Sequence, residues 1–394
     1  MRVCLICNEY PPLPVGGQGA RVSDLAPGLV TAGDEVTVVG VVPTCRGITS
    51  DVDEVLDGVR GVRLSPPPDW VGWRIGRLWE RYKLSSWIKR AHRQRPFDLV
   101  EAPEGRGWML FGGPRAVPLL LRFEASQTLY DHLLKREGNA FLHRLERKAM
   151  QRGDFFSALS QYAADETIKL FQLGEAPCRV LYNAVATDRF APAVGGDGLE
   201  RGLVVFVNGI EERKGVRELL LSFNIWGRSH PFTRLVLIGS DTGPVENGLS
   251  YSDTCLSQVD VDLRDRVVFK GRLERMTGVI SYLQRAHLCC YPSHIETFGV
   301  APVEAMSVGK PVVYSRTGPG PEVIEDGVSG LLCDPFDPED IASKIQSILD
   351  NESFARDLGK NGRRRVLAMF DKSDWIERNR AYYADCLEHF PRRR

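Results

Sequence analysis

Residues 294–313 read HIETFGVAPVEAMSVGKPVV. An apolar run at 287–292 precedes them and predicts a strand. Val303, Ala305, Met306 and Val308 predict a helix that stops at Gly309, and Gly followed closely by Pro is a common helix exit. From Pro311 the run Val312-Val313-Tyr314 opens another strand. Strand, loop, helix and strand make a βαβ unit, so the chain is expected to be α/β with parallel sheets. Glu296 and Glu304 have seven residues between them. Read as helical, eight steps are a little over two turns, which puts both carboxylates on one face, Glu296 at the helix mouth and Glu304 about two turns in. Thr297, Phe298 and Gly299 would offer backbone N–H groups at the helix start, where an anion is well held. Alone, two glutamates at this spacing are as readily a solvated helix face.

The same alternation extends on both sides. In the C-terminal half, strands are expected at 203–207, 235–238, 266–269, 287–292 and 311–315, with helices at 216–225, 278–286, 338–349, 352–367 and 373–389. Residues 191–201, rich in Pro, Gly and Ala, read as a linker. In the N-terminal half, strands are expected at 2–7, 35–39, 98–101, 118–122, 154–158 and 179–182, all joined by parallel crossovers. The first strand is followed by a Pro- and Gly-rich loop, in which Gly16 and Gly17 would let the backbone approach a phosphate or sugar. No regular structure is expected before Gly19, and Gly33 ends the helix that follows.

Composition narrows the function classes. Lys+Arg and Asp+Glu each number 51, so the chain is neutral and no nucleic-acid partner is expected. The nine cysteines include Cys4 and Cys7 in the first strand, and no second pair stands at zinc spacing, so core or free thiols in a reducing cytoplasm are expected. No run approaches the roughly 18 apolar residues of a membrane span. Two Asp-x-Asp pairs occur, Asp51 with Asp53 in a polar loop and Asp260 with Asp262 in a helix-like stretch. Neither reads as a metal site, and no metal or other cofactor is expected.

Residues 70–95 hold four of the seven tryptophans, Trp70, Trp73, Trp79 and Trp87. Arg74, Arg77, Arg81, Lys83, Lys89, Arg90, Arg93 and Arg95 lie among them. The pattern suits peripheral contact with an anionic membrane, at the inner face of which the protein would sit, or a lipid-phosphate acceptor. It equally suits a helix whose tryptophans reach the core and whose arginines are solvated.

The Glu-Thr-Phe-Gly turn, the Glu-Ala-Met core and the Gly-Lys-Pro-Val-Val exit of 296–313 resemble the E-x7-E signature of retaining GT-B glycosyltransferases of the GT4 type, the group 1 glycosyl transferases. Residues 183–190, NAVATDRF, are similar to that family's segment at its domain boundary. The resemblance implies a GT-B fold: two Rossmann-like domains facing a central cleft, 1–190 on the acceptor side and 191–370 on the donor side, with 371–394 as a helix crossing back to the first domain. It implies transfer of a hexose-type sugar, with retention, from a UDP- or GDP-sugar to an acceptor hydroxyl on a glycan, a lipid-linked or a small molecule. Glu304 would hold the ribose and Glu296 the sugar hydroxyls. Lys214, with amides near Phe298 and Gly299, would stabilise the departing diphosphate. Gly16, Gly17, Asn208, Gly209, Arg213, Leu273 and Thr297 complete the donor set, with Glu104 and Glu124 on the acceptor side.

Two departures stand out. The family reads Gly-Arg where this chain has Asn208-Gly209, leaving Arg213 as a displaced substitute. Near the family's sugar-contacting His the chain has Glu124, which cannot donate a hydrogen bond unless protonated. These departures keep open a non-catalytic nucleotide-sugar binding protein, and the shared fold keeps open a GT-B UDP-sugar 2-epimerase.

Overall fold

The computed structural model describes residues 1–13, 17–42, 49–68, 70–193, 198–245 and 248–391. The chain forms two compact units, Met1–Tyr182 with Ser373–Arg394, and Asn183–Lys372.

The first unit is built on an eight-stranded sheet. Its strands are β1 (Arg2–Ile6), β2 (Glu35–Val41), β3 (Val52–Leu56), β4 (Val59–Leu64), β5 (Leu99–Pro103), β6 (Leu119–Phe123), β7 (Phe155–Ala158) and β8 (Cys178–Val180), in the order β3-β4-β2-β1-β5-β6-β7-β8. Helices α1 (Gly17–Thr31), α2 (Trp73–Gln94), α3 (Gln127–Leu133), α4 (Ala140–Met150) and α5 (Gln161–Phe171) fill the connections. The central strands are buried along their whole length, as a sheet covered on both faces requires. Helix α1 begins at Gly17, earlier than Gly19.

One expectation fails here. Strands β3 and β4 pair antiparallel. Asp57 and Gly58 both take positive φ, 51° and 77°, the geometry of a two-residue hairpin turn. Asp53 is therefore in a strand rather than a loop, where it pairs with Arg60 at 2.6 Å.

The second unit has a six-stranded, all-parallel sheet: β9 (Leu203–Val207), β10 (Arg234–Ile238), β11 (Val267–Phe269), β12 (Leu288–Tyr291), β13 (Val312–Ser315) and β14 (Leu331–Cys333). Its order is β11-β10-β9-β12-β13-β14. Its helices are α6 (Val216–Ser229), α7 (Tyr251–Leu256), α8 (Ile280–Arg285), α9 (Val300–Ser307), α10 (Gly320–Val323), α11 (Pro338–Leu349) and α12 (Glu352–Met369), and α13 (Lys372–His389) ends the chain. Winding runs outward from β9 in one direction and from β12 in the other. Such a switch point leaves a crevice at the carboxyl ends of the two strands, where open α/β sheets bind ligands. In the first unit the corresponding neighbours are β1 and β5.

The unit boundary falls after Tyr182, ahead of the expected position at 190. Residues 183–190 pack with the second unit: Val185 bridges to Asp371, and the carbonyl of fully buried Phe190 accepts from Ser307 Oγ at 2.6 Å. Helix α13 belongs to the first unit. Tyr383 donates to Glu101 at 2.6 Å, Arg122 donates to Asn379 at 2.7 Å, and Arg380 holds Asp34 at 2.7 Å. Among the described residues, no helix is long and apolar enough to cross a membrane.

Candidate functional site

The loops leaving β9 and β12 meet at the switch point of the second unit. After β9 the chain makes a 3-10 turn, Glu212–Lys214, and is redirected at Gly215, whose φ is +68°. A Cβ there would stand 1.8 Å from the Pro292 carbonyl oxygen, so only glycine lets the two loops approach. The Arg213 carbonyl accepts from the backbone N–H of His294 at 2.9 Å, which locks the loops together. This contact carries Lys214 onto Glu296, and the ammonium donates directly to Oε2. Both side chains are largely buried. Burial pushes the Glu296 carboxyl up, but the charges of Lys214 and Arg213 outweigh it and hold its pKa below the ordinary value.

Glu296 lies in the loop, not on a helix. Gly299, left-handed at φ +83°, separates it from α9, which starts at Val300. The expected common helical face for Glu296 and Glu304 is therefore absent, and Glu304 sits about one turn into α9 rather than two. Among the described residues, no side chain caps the start of α9. Helix N–H groups without such a cap are the kind that can meet an anion. Gly299 is again required by crowding, since a Cβ would press on the Tyr314 hydroxyl. Phe298 is buried against Phe370, and its carbonyl accepts from Tyr314 at 3.2 Å. Thr297 is buried, and its N–H donates to Glu296 Oε1 at 3.3 Å.

Glu304 is buried at 5% exposure and paired with a residue that sequence reading missed. Arg275, on a π-turn at Arg275–Val279, donates through Nε to Glu304 Oε1 at 2.7 Å and through Nη2 to the same oxygen. Its guanidinium also lies 5.3 Å from the Phe190 ring centroid. No local pattern marks it, because 29 residues separate the partners.

The remaining donor-side candidates are placed as follows. Asn208 accepts from its neighbour's N–H, that of Gly209, at 3.0 Å. Arg213 pairs with Glu211 at 2.7 Å. Leu273 is half-buried and packs against Gly278. Gly17 opens α1 in the first unit, and Gly16 lies outside the described residues.

In the first unit, the carboxyl ends of β5 and β6 bring Glu104 and Glu124 together: the Glu124 N–H donates to Glu104 Oε2 at 2.9 Å. Glu104 is 2% exposed, and its Oε1 has no hydrogen-bond partner among the described residues. Burial, with the nearby carboxylates Glu124 and Glu146, pushes Glu104 up to about 8, overcoming the opposing backbone N–H groups. Burial raises Glu124 as well, against the pull of Arg21. Beneath them Arg21 bonds both Glu124 and Glu101, and Arg122 makes two bonds to Glu101 at 2.9 Å each. Against its own burial, Glu101 is held down to about 2 by Arg122 and Arg21. This buried network, closed by Tyr383, was not visible in the sequence.

The Asp-x-Asp pairs are spent on cations. Asp51 binds Lys83 at 2.6 Å, and Asp260 and Asp262 both face Arg228.

Residues 190–365 match the family described as glycosyl transferases group 1, and residues 15–189 match glycosyltransferase family 4. A glycogen synthase of Mycobacterium tuberculosis is 26% identical over 393 residues, covering 94% of this chain and 91% of that protein. A D-inositol 3-phosphate glycosyltransferase of Mycolicibacterium smegmatis is 30% identical over 218 residues, 53% of this chain and 48% of that protein. Among solved structures, a sucrose-phosphate synthase from Thermosynechococcus elongatus superposes with a TM-score of 0.80 at 22% identity, covering 99% of this chain and 100% of that one. Anabaena HepE, solved with UDP and glucose, gives 0.73 at 18% identity, covering 98% and 100%. The fold is the GT-B fold, with two Rossmann-like domains whose sheets are parallel apart from the β3–β4 hairpin.

Proposed function

The chain belongs to the glycosyltransferases of group 1 and family 4, and from that premise we propose that it transfers a hexose-type sugar, with retention, from a nucleoside diphosphate sugar to an acceptor hydroxyl. UDP and GDP are the favoured carriers, and UDP is the nucleotide in the HepE complexes. A glycan, a lipid-linked sugar or a small polyol is the acceptor class.

The observation that carries the reading is the contact between Lys214 and Glu296 at the β9–β12 switch point, ahead of the uncapped start of α9. A diphosphate over the helix amides would meet backbone N–H donors and the Lys214 ammonium, both suited to charge growing on a leaving phosphate. The Glu296 carboxylate would accept from hydroxyls of the transferred sugar and favour positive charge at its anomeric carbon. Glu304 would accept from the ribose hydroxyls. The acceptor proton would pass to the leaving phosphate oxygen, so the reading asks for no side-chain base. Metal-independent transfer follows from the same assignment of the diphosphate to Lys214 and helix amides.

A thermal-shift screen over UDP-, GDP-, ADP- and TDP-sugars tests the donor, because a ligand that binds only the folded state raises its midpoint. Transfer of label from the stabilising sugar nucleotide to an added acceptor, with the donor's anomeric configuration kept, supports the reading. Binding without turnover points instead to a nucleotide-sugar binding protein. Conversion of UDP-N-acetylglucosamine without an acceptor identifies an epimerase.

A further inference from the structure

Helix α2 buries Gly76, Glu80, Leu84, Trp87, Ile88 and Ala91 along one side. Tyr82 and the other outward positions do not look like an ordinary solvated face. Ile75, Leu78 and Tyr82, at i, i+3 and i+7, form one stripe and are 67%, 36% and 61% exposed. Continued along the helix, the same stripe reaches Lys89 and Arg93. Its apolar half is widened by Phe111, an exposed ring that Tyr82 meets edge-on at 6.0 Å. Trp70, just before the helix, is 85% exposed.

The basic half is equally distinct. Lys89 donates to the Phe111 carbonyl at 2.9 Å, which fixes its ammonium beside the aromatic patch. Burial, with the positive charges of Arg152, Arg115 and Arg93, holds the Lys89 pKa below its ordinary value. Arg93, Arg115 and Arg152 are exposed, and no ion pair with a carboxylate is found for them among the described residues. Exposed arginines beside a lysine fixed at the aromatic patch suit an anionic partner. Set against an exposed aliphatic and aromatic stripe, they match a surface that is negative outside and apolar beneath.

We propose that this outer face of α2 docks on an anionic phospholipid surface, with Ile75, Leu78 and Tyr82 entering the interfacial layer and Lys89, Arg93, Arg115 and Arg152 taking headgroup phosphates. A carbohydrate polymer fits less well, because Ile75 and Leu78 offer a sugar neither a stacking ring nor a hydrogen bond. A second copy of the chain would bring like charges together. The inference stands apart from the transferase reading, and its test uses no sugar nucleotide.

The full chain is sedimented with vesicles of phosphatidylcholine alone and with vesicles that also contain phosphatidylglycerol, at low and high salt. Binding confined to the anionic vesicles and released by salt is the expected result. Arg93→Glu with Arg115→Glu should lower the partition coefficient at least about tenfold. Ile75→Ser with Leu78→Ser, a surface change that leaves the buried side of α2 intact, should also release the protein. Circular dichroism and unfolding midpoints confirm that both variants are folded. The proposal is overturned if the wild-type chain stays in the supernatant with anionic vesicles, if it binds neutral vesicles equally, or if either folded variant binds as the wild type does. Retention on a neutral α-glucan without vesicle binding would assign the face to carbohydrate and also overturn it.

Discussion

Arg275 and Glu304 form a side-on pair in which Nε and Nη2 both bond to Oε1, with Nε at 2.7 Å. The carboxylate proposed to hold the ribose therefore already carries a guanidinium before any donor arrives. The donor must bind beside the arginine or move it.

Glu304→Ala should weaken the bare nucleoside diphosphate as much as the full donor, by about 1.5–3 kcal/mol, the range for a hydrogen bond to a charged group. Calorimetric titration reads this directly, and unchanged nucleotide affinity would remove Glu304 from the donor site. Arg275→Met leaves a buried carboxylate without its cation. Because Arg275 is partly exposed, the stability loss should be about 1–3 kcal/mol, below that of a fully buried pair. Combined with Glu304→Ala, its cost should be clearly sub-additive, as for any pair in direct contact.

Glu296→Gln should hardly change affinity for the bare nucleotide but lower kcat about 10²–10³-fold, by analogy with loss of one preorganised group that acts in the transition state. Lys214→Ala should weaken diphosphate binding and slow transfer together. Steady-state kinetics on both variants, with unfolding midpoints as the folding control, separates the roles. Wild-type turnover by Glu296→Gln means that Glu296 has another task.

Gly215→Ala tests the loop approach. The new Cβ would stand 1.8 Å from the Pro292 carbonyl oxygen, at a backbone with φ +68°. Relief needs a shift of one loop, so we expect a loss of about 2 kcal/mol or more in urea unfolding. Nucleotide binding should weaken as well, because the same shift carries Lys214 away from Glu296. A variant as stable as the wild type would show that the loops are not held by this contact.

Glu104 gives a pH signature. Its folded-state pKa is about 8 against an ordinary 4.5. Between these values the folded chain keeps a proton that the unfolded chain has released, so this group makes stability fall as pH rises across the window and level off above it. Glu104→Gln cannot ionise and should remove that part of the slope, gaining on the wild type toward the alkaline end. Urea midpoints measured across the window check the sign, and parallel curves for the two proteins would show that Glu104 does not titrate there.

Local patterns in the chain were enough for much of the second unit. Apolar runs of strand length, separated by helical periodicity, identified β9 to β13, because each such element is defined by neighbours within a few residues. Strand β14 is three residues long and was not expected, since so short a run carries no period. The hairpin at β3 and β4 was missed although Asp57-Gly58 is a recognisable turn pair. Its strand is a solvent-exposed edge, with Val55 70% exposed, and lacks the apolar pattern of a core strand.

The sequence by itself determined the alternation of strands and helices, the spacing of Glu296 and Glu304, and the glycines at 215 and 299, because periodicity and turn chemistry act over short distances; the division into two domains was implied by the family resemblance. Only the tertiary structure decided which charges meet. It put Lys214 on Glu296, turned Arg213 to Glu211 at 2.7 Å, and brought Arg275 to Glu304. It closed Arg21, Glu101, Arg122 and Tyr383 into one buried network and left Glu104 among carboxylates with its pKa at about 8. Attraction between charges and the cost of burying them depend on separation and local polarity, and both are set when strands distant in the chain become neighbours in a sheet.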